Sequence, residues 1–291
     1  MDIGRVGIWA FLDMLPARQA QEAAAEIEGL GFKALWIPEA IGREIFTSSA
    51  VLLAGTARLV VATGIANVWA RDAMAMANAQ RTLTEAYPDR FLLGMGVSHA
   101  PLVDGVRGHQ YAKPLSFMRS YLDAMDTAPF AAAPPTTEPT RVLAALHPKM
   151  LRLAAERTSG SHPYFVTPEH TARARSILGA GKLLAPEQAV CLETDPDKAR
   201  RIARSHMALY LSLPNYRRNV ESLGFTADDM DNGGSDRLVD AIVAWGDTGV
   251  IAERVRAHHD AGADHVCLQV LGEDMMAVPR RQWQTLATVL L

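Results

Sequence analysis

The run RLVVATGI, residues 58–65, decides the fold. It is apolar without interruption, so it suits a strand buried on both faces rather than one with a wet side. Upstream, RVGIW (5–9) and FKALWIP (32–38) read as two earlier strands. Between them, residues 16–29 read as a helix that Pro16 opens and Gly29 and Gly31 close. A short helix with Thr and Ser at its start is expected over 47–56. Downstream, residues 71–87 form the next helix, and RFLLGMGV (90–97) a fourth strand. A Gly-rich loop leads to a helix over 114–127. RVLAAL (141–146) with a helix over 148–157, and HPYFV (162–166) with a helix from Pro168 to Leu178, give strands five and six. AVCLET (189–194) is the seventh strand. Asp195-Pro196 then starts a long helical stretch, a cap followed by Pro at the first helical position. A helix over 249–261, ended by Gly262, precedes DHVCLQVL (264–271), the eighth strand.

Eight strands separated by helices are the number that closes a parallel (β/α)8 TIM barrel, and 291 residues suit one. A doubly wound open sheet is the competitor, but no break marks two halves. The expectation is one domain over 1–291, with a helical insertion at about 205–247 before the last strand. Residues 128–140 (APFAAAPPTTEPT) read as a surface loop. Hydrophobic residues make up 49% and charged residues 21%, enough to fill a large core. The net charge of −3, without a long run of one sign, argues against a nucleic-acid surface. No apolar run is long enough to span a membrane, and the first residues do not read as a signal peptide. Cys191 and Cys267 lie in strand-like runs and read as buried reduced thiols of a cytoplasmic protein, not as a metal site.

In a (β/α)8 barrel the chemistry sits at the C-terminal ends of the strands. Those ends bring Trp9, Glu39, Gly64 to Asn67, Gly96 to His99, His147, Val166-Thr167 and Gln269 to one mouth. Neither a G-x-S-x-G elbow nor a Walker-type phosphate loop is present. Gly94-Met95-Gly96 begins a dinucleotide fingerprint, but His99 stands where its third glycine belongs. The pair His258-His259 reads as a solvated helix face.

GFKALWIPEA, RLVVATGIAN and RDAMAMANAQRTLTEAYPDRFLLGMGVSHAP, in this order, resemble the luciferase-like monooxygenase superfamily. The closer likeness is to its branch of oxidoreductases dependent on coenzyme F420, a deazaflavin. RVLAALHPKMLRLAAERTSGSHPYFVTPEHTARAR and AERVRAHHDAGADHVCLQVL carry the likeness further along the chain. The resemblance implies a flavin-like ring at the barrel mouth, with a bulge or cis peptide at Gly64-Ile65. It implies a cofactor site of Trp9, Gly64, Ile65, Ala66, Asn67, Gly96, Val97 and Ser98. Val166, Thr167, Pro168 and Glu169 would lie beside the phosphate-bearing chain, where helix-start N–H groups attract phosphate. Relatives follow the strand-two acid with His; here Glu39 is kept and Ala40 replaces the His. His99 therefore takes the acid/base role, since an imidazole titrates near neutral pH. Strand five ends in His147 where relatives commonly have Gly. Family members often pair, and the helices at 47–57 and 71–87 would form a homodimer face.

Three functions follow from that resemblance. The first is an oxidoreductase moving hydride between coenzyme F420 and a small organic substrate. The second is an FMN-dependent monooxygenase, and the third a cofactor-binding barrel without turnover.

Overall fold

The computed structural model describes residues 1–274 and 277–291. Its first half alternates strand and helix: β1 (Val6–Trp9), α1 (Ala17–Gly29), β2 (Ala34–Ile37), α2 (Ile45–Ala54), β3 (Val60–Thr63), β4 (Ala66–Asn67), α3 (Ala73–Ala86) and β5 (Phe91–Gly96). A single π-helical turn (Pro101–Val106) follows, then α4 (Pro114–Asp126), β6 (Thr140–Leu143), α5 (Pro148–Arg157), β7 (Gly160–Ser161) and α6 (Pro168–Leu178). The rest is β8 (Leu183–Leu184), β9 (Glu187–Cys191), α7 (Pro196–Leu211), α8 (Pro214–Glu221), α9 (Ala227–Met230), α10 (Asp236–Ile242), β10 (Ala244–Trp245), α11 (Thr248–Asp260), β11 (Val266–Val270) and α12 (Arg280–Leu290).

All strand pairs are parallel, in the order β10-β9-β11-β1-β2-β3-β5-β6-β7-β8, with β4 also on β5. The sheet curls strongly. Residues 183–191 serve two neighbours at once. On one side, the Leu183, Ala185 and Glu187 N–H groups donate to the carbonyls of Ser159, Ser161 and Pro163. On the other, Asp264 and Cys267 donate to the carbonyls of Leu184 and Pro186, and β9 pairs with β11. Gly160 makes this seam possible, because a Cβ there would stand 1.9 Å from the Leu183 carbonyl oxygen.

Helix faces explain the outer layer. In α1, Ala20, Ala23, Ala24 and Ile27 fall on one stripe and are buried against the sheet. Glu28 on the same helix receives the N–H groups of Ala57 and Leu59 and so pins the entry to β3. Inside the curl, Trp9, Trp36, Val60, Ala62, Leu92, Val142, Ala185 and Cys267 pack together. Its few polar groups are mostly paired, the exception being the buried His162 Nε2. The Trp36 indole donates to His265 Nε2 at 3.1 Å, and His162 stacks on Trp36 with centroids 4.3 Å apart. A separate apolar cluster, including Met207, Leu211, Val220, Leu238 and Ile242, holds α7, α8 and α10 together over one side.

Several expectations are corrected. The sixth strand is Gly160–Ser161, not 162–166, because Pro163 has no N–H to give and Phe165 sits at φ +59°. The seventh begins at Leu183, upstream of the apolar run 189–194. Helix α2 begins at Ile45, capped by the Glu44 carboxylate at 2.7 Å from the Thr47 N–H, rather than at Thr47. His258 is buried, not solvated: its ring meets Thr171 Oγ1 and Gln188 Oε1 at 2.8 and 2.9 Å. Both cysteines are buried free thiols. Among the described residues no helix is long and apolar enough to cross a membrane.

Candidate active site

The strand ends gather most of the expected residues in one place. Trp9, at the end of β1, is buried and donates its indole N–H to the Gly64 carbonyl at 3.2 Å. The Gly64-Ile65 peptide is cis. The end of β2 holds this segment, with Gly64 donating to the Ile37 carbonyl and Glu39 to that of Ile65. A Cβ at position 64 would stand 2.8 Å from the Trp9 Nε1 and 2.9 Å from His162 Nε2, so glycine is what lets these rings close on the backbone. Ala66 and Asn67 pair with Met95 and Gly96 of β5, and the Val68 N–H continues to the Gly96 carbonyl.

Asn67 is fully buried. Its backbone N–H donates to Glu39 Oε2 at 2.7 Å, and its side-chain oxygen accepts from the Trp69 N–H at 3.0 Å. That fixes the amide and leaves its Nδ2 without a partner. A buried amide donor left unmet is expensive, which is the condition a ligand acceptor relieves. Glu39 is committed to this frame as well. Its carboxylate pairs with Arg71, which also reaches Glu44 at 3.0 Å.

Beyond β5 the chain turns at Ser98, with φ +56°, and presents His99. Its ring lies 5.2 Å from the Tyr216 ring. Among the described residues it makes no side-chain hydrogen bond, and burial holds its pKa below the ordinary histidine value. Trp69 stacks flat on Phe117 at 3.9 Å and ties its indole N–H to the Val97 carbonyl, bracing the same turn.

Val166, Thr167, Pro168 and Glu169 lie apart from this group. Val166 packs in the apolar cluster of α7 and α8. Thr167 caps α6 through the His170 N–H at 3.4 Å, and Pro168 takes the first helical position. A hydrogen bond from Thr167 holds the Glu169 carboxyl below its usual range, so this helix start already carries an anion. His147 is at the end of β6, with its ring at 3.2 Å from the Asn215 carbonyl.

Sequence reasoning missed a ring cluster on this side. Tyr164 hydrogen-bonds the Tyr210 hydroxyl at 2.8 Å and Gln269 Oε1 at 2.6 Å, and packs 5.4 Å from Trp9. Tyr216 meets Phe165 and Tyr210 edge-on at 5.5 and 5.2 Å. Beneath them Glu187 is fully buried. One of its oxygens accepts the Phe165 N–H at 3.1 Å and the other has no partner, and burial pushes the carboxyl up to about 8. The only signal in the sequence was a charged residue at the start of the apolar run EQAVC.

A family model described as luciferase-like monooxygenase matches residues 6–265. A Mycobacterium tuberculosis protein described as a coenzyme F420-dependent oxidoreductase is 29% identical over 194 residues, covering 56% of this chain and 55% of that relative. The match thus spans just over half of the relative's length. An F420-dependent secondary alcohol dehydrogenase, solved with an F420-acetone adduct, superposes with a TM-score of 0.80 at 15% identity, covering 98% of each chain. The oxygenating constituent of 3,6-diketocamphane monooxygenase from Pseudomonas putida, solved with FMN, gives 0.72 at 16% identity over 97% of this chain and 95% of that one. At such identities the likeness is one of fold.

Proposed function

This chain belongs to the luciferase-like monooxygenase family, and from that premise we propose that it is a coenzyme F420-dependent oxidoreductase acting on a small organic substrate. The observation that carries the reading is the fixed, buried Asn67 amide with its unmet donor, beside the Gly64 and Gly96 backbone. The carbonyl acceptors of a deazaflavin's pyrimidine end fit that unmet donor. The partly matching F420-dependent relative supports the same choice. We read the curled sheet as a closed (β/α)8 barrel, single-domain over 1–291, with residues 205–247 inserted before the last strand. The two-sided hydrogen bonding of residues 183–191 supports closure. The protein is proposed to be cytoplasmic and to pair as a homodimer through α2 and α3.

When bound, the deazaflavin supplies the hydride exchange; the chain supplies position and a proton site. Trp9, Gly64, Ile65, Ala66, Asn67, Gly96, Val97 and Ser98 cradle the ring. Val166, Thr167, Pro168 and Glu169 border its phosphate-bearing end, and Arg254, whose charge acts on Glu169, offsets that carboxylate. Burial favours the neutral form of the His99 imidazole, and among the described residues its ring makes no side-chain hydrogen bond, so it can exchange a proton with the substrate as the hydride moves. Glu39 acts by position, holding the Asn67 N–H and Arg71.

FMN with oxygen chemistry is the second reading, favoured by the FMN-bound structural neighbour. Titrating the apo-protein with each cofactor separates the two. F420 is expected to bind at least about tenfold more tightly than FMN, a difference of about 1.4 kcal/mol. The opposite order would replace this reading with the monooxygenase. No cofactor oxidation or reduction across a broad substrate panel would favour binding without turnover. With F420 bound, His99→Ala is expected to lower turnover by about 10²–10⁴-fold at unchanged cofactor affinity; full turnover would remove His99 from the mechanism.

A further inference from the structure

At the end of β2 lies a cavity of about 440 Å³. Its lining includes Arg43, Arg71 and Arg107 against only two carboxylates, Glu39 and Glu44. Both carboxylates are taken by Arg71. Arg43 gives its guanidinium to the Leu15 carbonyl. The acid beside it, Asp13, accepts the Arg43 backbone N–H at 3.2 Å. Arg107 is the least satisfied. Its side chain makes one hydrogen bond, from Nη2 to the Ala40 carbonyl at 3.1 Å, and its buried Nε has no partner. Among the described residues no carboxylate lies within 4.0 Å of it. The buried Nε left unmet is disfavoured in the free protein, and Nη1, which makes no hydrogen bond among the described residues, is the edge an anion can take.

The same cavity has an apolar lip. Ile41 is 77% exposed and Val106 65% exposed, and both line it. Phe11 and Met14, on the loop after β1, are exposed too, and the Asp13 and Leu15 contacts to Arg43 tie that loop to the loop after β2. Exposed aliphatic side chains gathered beside an uncompensated cation describe an amphipathic ligand.

We propose that this cavity is the substrate site and that it selects an apolar monocarboxylate, with Arg107 holding the carboxylate and Ile41 and Val106 covering the apolar body. Ala40 matters to this arrangement. Its small side chain leaves room, and its carbonyl orients Arg107. The assignment of the ligand as substrate rests on the oxidoreductase reading; the binding site itself does not.

The test is calorimetric titration of the protein, without cofactor, using octanoate, octanol and inorganic phosphate. Octanoate is expected to bind about tenfold or more tightly than octanol, the usual worth of a charged hydrogen bond. Arg107→Gln should erase that preference while leaving octanol binding unchanged. Ile41→Glu, at an exposed position that folding does not depend on, should weaken octanoate more than octanol and stands in if Arg107→Gln does not fold. Equal affinity for octanoate and octanol, or octanoate binding indifferent to both substitutions, overturns the proposal. Phosphate binding more tightly than octanoate also overturns it, in favour of a phosphorylated ligand. Failure of F420 to bind while octanoate binding persists would sink the cofactor reading and leave the carboxylate site standing.

Discussion

The two sides of the strand ends are unlike. On the side of β7 and the inserted helices, Tyr164, Phe165, Tyr210 and Tyr216 interlock ring against ring, and His206 adds a fifth 5.1 Å from Tyr210. On the side of β2 and β4, the lining is Ile41, Arg43, Arg71 and Arg107 around open volume. The first wall is closed to solvent: apolar surface is buried and the phenols of Tyr164 and Tyr210 bond to each other, with Glu187 Oε1 and His206 Nε2 left unpartnered inside it. The second is unfinished, with a cation and two aliphatic side chains facing water. Stability is thus concentrated on the closed wall and ligand choice on the open one, the usual division between packed scaffold and functional loop.

The sharpest way to break this comparison is to hollow the closed wall. Phe165→Ala is expected to lower unfolding stability by about 3–5 kcal/mol, as large aromatic truncations in cores do, whereas Ile41→Ala should stay within about 0.5 kcal/mol. Urea denaturation checks both; a loss under about 1 kcal/mol at Phe165 would mean the rings do not pack as described. Next in size is the joint between the walls and the ring cradle. Glu39→Gln leaves Arg71, 11% exposed, with Glu44 alone. The expected loss is about 3 kcal/mol, the lower end for breaking a buried pair, accompanied by weaker cofactor binding as the Asn67 strand loosens. Cofactor affinity unchanged from wild type would separate Glu39 from the cradle.

The third test reads the buried titratable groups through pH. His162, His170, His206 and His265 are held down to about 4 by burial from 6.5, and His258 to about 3. A base with a depressed folded pKa stabilises above its unfolded value, so stability falls as pH drops from 6.5 through 4. Glu187 has the opposite sign. Its folded value is raised from 4.5 to about 8, so the native state holds the proton longer, and stability is lost as pH rises through that window. Thermal midpoints should therefore peak near pH 6.5 and decline toward about 8, where the raised carboxyl finishes titrating. Glu187→Gln should remove the alkaline decline and keep the acid limb. Superimposable profiles for the two proteins would show that Glu187 is not the buried acid described.

What the chain made legible follows the same division. Strands such as β3 and β5, with four and six residues all buried, announce themselves by uninterrupted apolar composition. So did the ends Trp9, Gly64, Asn67 and Gly96, because strand ends are countable. Strand β7 was not legible. Its two residues, Gly160 and Ser161, have no β propensity, and Ser159 and Ser161 place them by bonding across to Arg141, Leu143 and Leu183. His258 was misread because its partners, Thr171 and Gln188, lie 87 and 70 residues away. Tyr210, Tyr216 and Arg107 belong to segments whose local pattern gives a helix or a loop and says nothing of the direction in which it folds back. Long-range placement, not local preference, decides those positions.

Trp69 adds one consequence. Its ring stacks on Phe117, its N–H is tied to Val97, and Tyr111 and His109 lie 6.1 and 6.0 Å away, His109 at the edge of the cavity. Trp9, Trp36 and Trp283, by contrast, are deep in the protein. Trp245 is the other partly exposed indole, but it is held by Asp240 beside α10, so a ligand that shifts the segment after β5 changes the surroundings of Trp69 alone of the two. The protein therefore carries its own optical gauge of the open wall, readable as a change in emission without a label.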